Sequence, residues 1–115
     1  MPASSWGVGE RASLVDTLYF GTATPDGAVS ARAWKDFVDI IVAPRFPQGF
    51  TITEATGQWR GAKGDIVREV SHVVTRAHQA DAANDAAVRA IADACKHRFR
   101  LESVLRTRAT ACVSS

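Results

Sequence analysis

Five side chains around the middle of the chain have the types and spacing to do chemistry: Arg45, Glu54, Gln58, Glu69 and Ser71. Residues 50–60 and 65–75 alternate like strands, and Gly61-Ala62-Lys63-Gly64 supplies a turn between them. A turn of two or four residues sets Gln58 beside Val67, Thr56 beside Glu69 and Glu54 beside Ser71. Glu54 and Glu69 then become diagonal neighbours on one face, able to share a proton, a guanidinium or a ligand. Arg45 is the expected counter-charge, Gln58 and Ser71 orient a polar ligand, and Tyr19 and Trp59 complete the binding set. A half-buried carboxylate can serve as general acid or base. The expectation is therefore a small-molecule site with Glu69 and Glu54 as catalytic residues, in cofactor-free acid–base chemistry of the isomerase or lyase kind. Two readings compete with it: an Arg–Glu pair that only fixes a loop, and a non-catalytic homo-oligomeric protein whose sheet face pairs subunits. A three-residue turn would shift the register and separate these groups.

Other chemistries lack their residues. Ser71 and His72 are adjacent on a strand and point to opposite faces, which excludes a serine–histidine pair. His72 reads as a core histidine on the side of Trp59, Ile66, Arg68, Val70 and Val74. His78 and His97 have no metal-ligand spacing, so no metal is expected. Gly57, Gly61 and Gly64 do not form a phosphate cradle, and no cofactor is expected. Cys95 and Cys112 are too far apart in sequence for a redox pair and read as two buried thiols. Trp34 and Trp59 read as core anchors.

The elements that must position these groups follow from periodicity. Residues 13–21 carry Leu14, Val15, Leu18, Tyr19 and Phe20 and suit a strand apolar on both faces. Thr24-Pro25-Asp26-Gly27 reads as a turn. Ser30 caps a helix in which Trp34, Phe37, Val38 and Ile41 share one stripe. Pro44 and Pro47 are expected to end it, leaving Arg45 and Phe46 in an exit loop. After the hairpin, Asp81 or Asn84 caps a second helix with Val88, Ile91, Ala92, Cys95 and Phe99 inward, ending near Leu101. Residues 103–113 form a last strand. The order βαββαβ is the ferredoxin-like α+β arrangement, a four-stranded antiparallel sheet with two helices on one face. Residues 1–12 are expected to be a flexible lead-in, with 13–115 a single domain. The uncovered sheet face, apolar at both strand parities, implies a homodimer unless residues 3–11 with Trp6 cover it.

The composition, 46% hydrophobic and 23% charged, excludes disordered and fibrous classes. The longest apolar run, Ile40 to Ala43, is far short of the ~20 residues that cross a bilayer, so no membrane partner is expected. A net charge of +2 gives little reason for a polyanionic partner. Lys96, Arg98 and Arg100 fit the end of a helix dipole, no aromatics interleave with them, and nucleic acid is not expected. The N-terminus shows no secretory pattern, which makes the protein cytoplasmic as written, or exported if a leader precedes it.

Several segments carry a family resemblance: Leu18-Tyr19-Phe20-Gly21, Pro44-Arg45-Phe46-Pro47 with Gly49 and Thr51, Gly57-Gln58-Trp59-Arg60, Arg68-Glu69 with Ser71, and Glu102-Ser103-Val104-Leu105. Through them the chain resembles, nearly end to end, a family of small bacterial proteins built on a domain of unknown function. The resemblance implies no activity. Many members look exported or lipid-anchored. Where the family has Tyr before the Lys of the second helix and Gln before the Glu-Ser-Val-Leu run, this chain has Cys95 and Leu101.

Overall fold

Strand β1 (Arg11–Gly21) lies in the middle of the sheet; the computed structural model describes residues 11–25, 27–101 and 104–114. A short hairpin, β2 (Ala23–Thr24) and β3 (Gly27–Ala28), follows where a turn is expected, and Gly27 takes a φ of 112° there. Then come α1 (Ala31–Phe37), a π turn (Val38–Val42), α2 (Ala43–Arg45), β4 (Thr51–Arg60), β5 (Ile66–His78), α3 (Ala82–Phe99) and β6 (Leu105–Val113). The sheet order is β4-β5-β1-β6 with every neighbouring pair antiparallel. This is the expected ferredoxin-like arrangement. The expected Asp26, Glu102 and Ser103 positions, and the N-terminal cover with Trp6, lie outside the described residues.

Ser30 starts α1 as its N-cap, its Oγ accepting from the Ala33 N–H at 3.0 Å. The helical run does not stop before Pro44. The π turn inserts a wider step, with Ala43 N–H reaching Val38 O, and Pro44 falls in the opening turn of α2, where a missing N–H is tolerated. The same step moves the buried position from the expected Ile41 to Val42, five residues after buried Phe37. Arg45 therefore ends a helix rather than sitting in a loop, and Phe46 after it is buried.

Asp81 caps α3 by accepting from the Asn84 N–H at 2.7 Å. Val88, Ile91 and Cys95 then fall on its inner side. The helix ends at Phe99 because Arg100 turns left-handed, with φ 57°. Leu18, Phe20 and Val74 from one sheet face meet Trp34, Phe37, Val42, Phe46, Val88, Ile91 and Cys95 in a single core. Each fully buried side chain of this size contributes about 1.5–3 kcal/mol. His72 belongs to this core: its ring stacks on Trp34 at 4.3 Å and 4°. Cys112, expected to be buried, is exposed on β6.

β1 pairs with β5 only from Ser71 onward. Among the described residues, 66–70 of β5 pair with β4 alone, so that half of the hairpin forms a two-stranded arm. Ile66, Val70 and Trp59 are exposed along it. No helix among the described residues is long and apolar enough to cross a membrane.

Candidate functional site

The hairpin loop has five residues, 61–65, closed by Gly61 N–H donating to Asp65 O at 2.7 Å. The register consequently differs from the expected one by a residue: Ala55 faces Ser71, Gly57 faces Glu69, Glu54 faces His72 and Gln58 faces Arg68. Glu54 and Gln58 thus lie on the opposite side of the sheet from Glu69 and Ser71. The expected carboxylate pair is absent. The Glu54 carboxylate is largely exposed and sits 3.9 Å from His72 Nδ1. Burial pushes His72 down, with the Glu54 charge pulling weakly the other way. Arg45 is not near Glu69 either, because it lines a second cleft at the other end of β5 with Arg76 and His78. Trp59 lies with Val67, not with His72, and is 39% exposed rather than a core anchor.

What the fold does bring together is Tyr19, Trp59, Glu69 and Ser71, in a cleft of about 540 Å³ on the face opposite the helices. Three strands supply them: Tyr19 and Gly21 from β1, Trp59 and Arg60 from β4, and Val67, Glu69 and Ser71 from β5, with Leu101 and Leu105 at the rim. Two glycines make the space. A Cβ on Gly21 would meet Glu69 Oε1 at 2.6 Å, so the carboxylate lies directly over that backbone. A Cβ on Gly57 would meet the Trp59 indole at 2.6 Å, so the ring folds back along its own strand. Glu69 is anchored by the Ala23 N–H, which donates to Oε2 at 2.9 Å. Thr22 Oγ1 donates to Val70 O at 2.8 Å and fixes the exit of β1 against β5. Ser71, flanked across the sheet by Gly21 and Ala55, is 2% exposed, and its Oγ has no hydrogen-bond partner among the described residues.

A second polar cluster was not anticipated from sequence. Asp16 is 2% exposed under α3, and its Oδ1 accepts from Arg106 Nε at 2.8 Å and lies 3.3 Å from Arg108 Nε. Its Oδ2 makes a short contact with His78 Nε2, while His78 Nδ1 faces Gln79 O at 2.6 Å. Arg106 also donates to Asp85 at 2.9 Å. Burial pushes the Asp16 carboxyl up, but hydrogen bonds from Arg106 and His78 and the charges of Arg106 and Arg108 outweigh it and hold the group below the usual carboxylate range. Arg106 and Arg108 are thereby committed within the domain. The available signal was an acid in the middle of an apolar strand, which needs a buried cation somewhere.

No curated protein matches this chain in sequence. Solved structures match it in fold. A phage SAM lyase in complex with S-methyl-5′-thioadenosine superposes with a TM-score of 0.66 at 15% identity, covering 100% of this chain and 97% of that one. CutA from Synechococcus elongatus PCC7942 gives 0.59 at 14% identity over 91% and 83%, and its complex with Bis-Tris gives 0.57 at 14% identity over 91% and 87%. At these identities the likeness is one of fold. In sequence, residues 15–115 match DUF3574, a family of proteins of unknown function, and the chain belongs to that family.

Proposed function

We propose that the cleft over Gly21 and Ser71 binds a small polar molecule with a flat or apolar part. The observation that carries this reading is the Ser71 hydroxyl, buried with no hydrogen-bond partner among the described residues, in the cleft that Glu69 also lines. A buried hydroxyl without a partner costs about 1–3 kcal/mol, a cost that a structural role would not leave standing. A small rotation about χ1 of Ser71 presents Oγ to a ligand. Tyr19 and Trp59 offer aromatic surface to the rest of it, and the volume is in the ordinary range for such sites. The small molecules carried by the phage lyase and CutA structures support a ligand-binding use of this scaffold. With Glu54 on the other face, acid–base chemistry of the isomerase or lyase kind would rest on Glu69 alone.

The Ser71→Ala variant tests the proposal. It should be more stable than the wild type by up to about 1 kcal/mol, since it removes an unsatisfied group, and should lose the thermal shifts that the wild type shows in a library of nucleosides, amino acids and sugars. A Ser71→Ala protein that is destabilised, or that keeps every shift, would sink the reading. Glu69→Gln, which can still accept from Ala23, should likewise lose ligand response with little change in its own midpoint.

A second reading has its own observation. The arm of β4 and β5 exposes Ile66 and Val70 on the sheet face that carries Val74, with Ile52 exposed farther along β4, and an isolated two-stranded hairpin is marginal in water. Self-association through this arm would bury those residues. The dimer surface would then be the arm, rather than the whole open face.

A further inference from the structure

We infer that the second cleft, at the far end of β5 on the helix side, binds a small oxyanion, a carboxylate or a phosphate. It has a volume of about 590 Å³ and lies between the end of α2 and the start of α3. Arg76 and Arg45 are its cations.

Arg76 is the reason for the inference. Its guanidinium lies over the Phe46 ring, 4.5 Å from the centroid, which fixes the plane of the group. Its Nη1 is buried and has no acceptor among the described residues. A buried N–H on a cation is among the costliest groups to leave unpaired, because it has lost its water and gained no oxygen. Burial pushes Arg76 down, and the charges of Asp81 and Asp16 pull it only partly back, without a hydrogen bond from either.

The neighbouring carboxylates are already engaged. Asp81 is the acidic residue of the cleft wall, and its two oxygens take the Asn84 N–H at 2.7 Å and Asn84 Nδ2 at 3.0 Å. Asp16 is held by His78, Arg106 and Arg108. Arg45 also lines the cleft and spends Nη1 on Ile41 O at 3.1 Å, leaving the rest of its fork for another acceptor. Two arginines thus line one cleft, and among the described residues no acceptor meets Arg76 Nη1. An oxyanion supplies one, and guanidinium forks match the geometry of both carboxylate and phosphate. The cleft exceeds a bare inorganic ion, so the ligand expected there is a small organic acid or phosphate ester, with Ser13 and Gln48 available to its remaining polar atoms. This site is independent of the Ser71 cleft: the two use opposite faces and opposite ends of β5.

The test is calorimetric titration of the full chain with inorganic phosphate and with acetate, against chloride at constant ionic strength. Both probes should bind in the millimolar range, and whichever binds more tightly names the ligand class. Arg76→Met keeps the stem over Phe46 and should weaken binding about tenfold or more through loss of charge-assisted hydrogen bonds. Arg45→Met should do the same, and it carries the test if Arg76→Met does not fold. Lys63→Met, which removes an exposed charge in the hairpin loop, should leave binding unchanged. Absence of binding by either probe, equal losses in all three variants, or wild-type affinity in both arginine variants would overturn the inference.

Discussion

Asn in place of Asp16 should be among the most damaging single-atom changes in this protein. The carboxylate is 2% exposed and is shared by Arg106 at 2.8 Å, Arg108 at 3.3 Å and the His78 ring. Asparagine keeps one oxygen and presents an NH2 group to the other partner, so a donor meets a donor and the cations lose their counter-charge. Breaking a buried ion pair by removing one partner costs about 3–5 kcal/mol. Because Arg106 retains Asp85 at 2.9 Å, the loss should fall near the lower end, about 3 kcal/mol. For a chain of 115 residues that corresponds to a fall of about 12 °C in melting temperature. Urea unfolding followed by circular dichroism measures the loss directly, and replacing Asp16, His78 and Arg106 together by apolar residues should recover most of it. The acid limb gives a second check. A carboxyl held below its unfolded value contributes stability that is fully present above the unfolded pKa, about 3.9, and that disappears as pH falls through the lower folded value. The gap between wild type and Asp16→Asn should therefore be widest near neutral pH and shrink below pH about 4. A loss under about 1 kcal/mol, or a gap that does not change with pH, would refute the assignment of a buried charged network.

Gly21→Ala should cost under about 1 kcal/mol in stability, because the atom in its way is the end of a flexible side chain. By turning the Glu69 carboxylate away it should abolish the ligand response seen by thermal shift. Burial pushes the Cys95 thiol up to about 12 while Cys112 is exposed, so a thiol reagent at pH about 8 should titrate Cys112 in the native protein and both cysteines in denaturant. Light scattering behind gel filtration should give a mass of at least twice 12.3 kDa, and Ile66→Lys with Val70→Lys should reduce it to that of one chain; a wild-type mass near 12.3 kDa would count against self-association through the arm.

The elements were legible because their signals are local. Ser30 and Asp81 act as caps in place, and the Trp34, Phe37 and Val88, Ile91, Cys95 spacings point inward. Tyr19, Trp59, Glu69 and Ser71 line one cleft because of the observed register, which takes Trp59 from the expected His72 side to that of Val67. The rest depended on facts that a local pattern does not contain. Whether the hairpin loop holds four residues or five is decided by whether Asp65 joins the loop or the strand, and that choice put Glu54 and Gln58 on the wrong side. Pro44 reads as a stop unless a π turn precedes it. Asp16 finds Arg106 across 90 positions of chain, a pairing that only the sheet order creates.

The hairpin register also constrains how this lineage can change. Since a five-residue loop leaves same-parity residues of β4 and β5 on one face, deletion or insertion of one residue in 61–65 would turn β4 over against β5. Trp59 would leave the Ser71 cleft and Glu54 would enter it, exchanging an aromatic wall for a second carboxylate in one genetic event. Related sequences that keep this cleft should vary that loop in steps of two, and one that varies it by a single residue is where a different chemistry on the same scaffold should be sought.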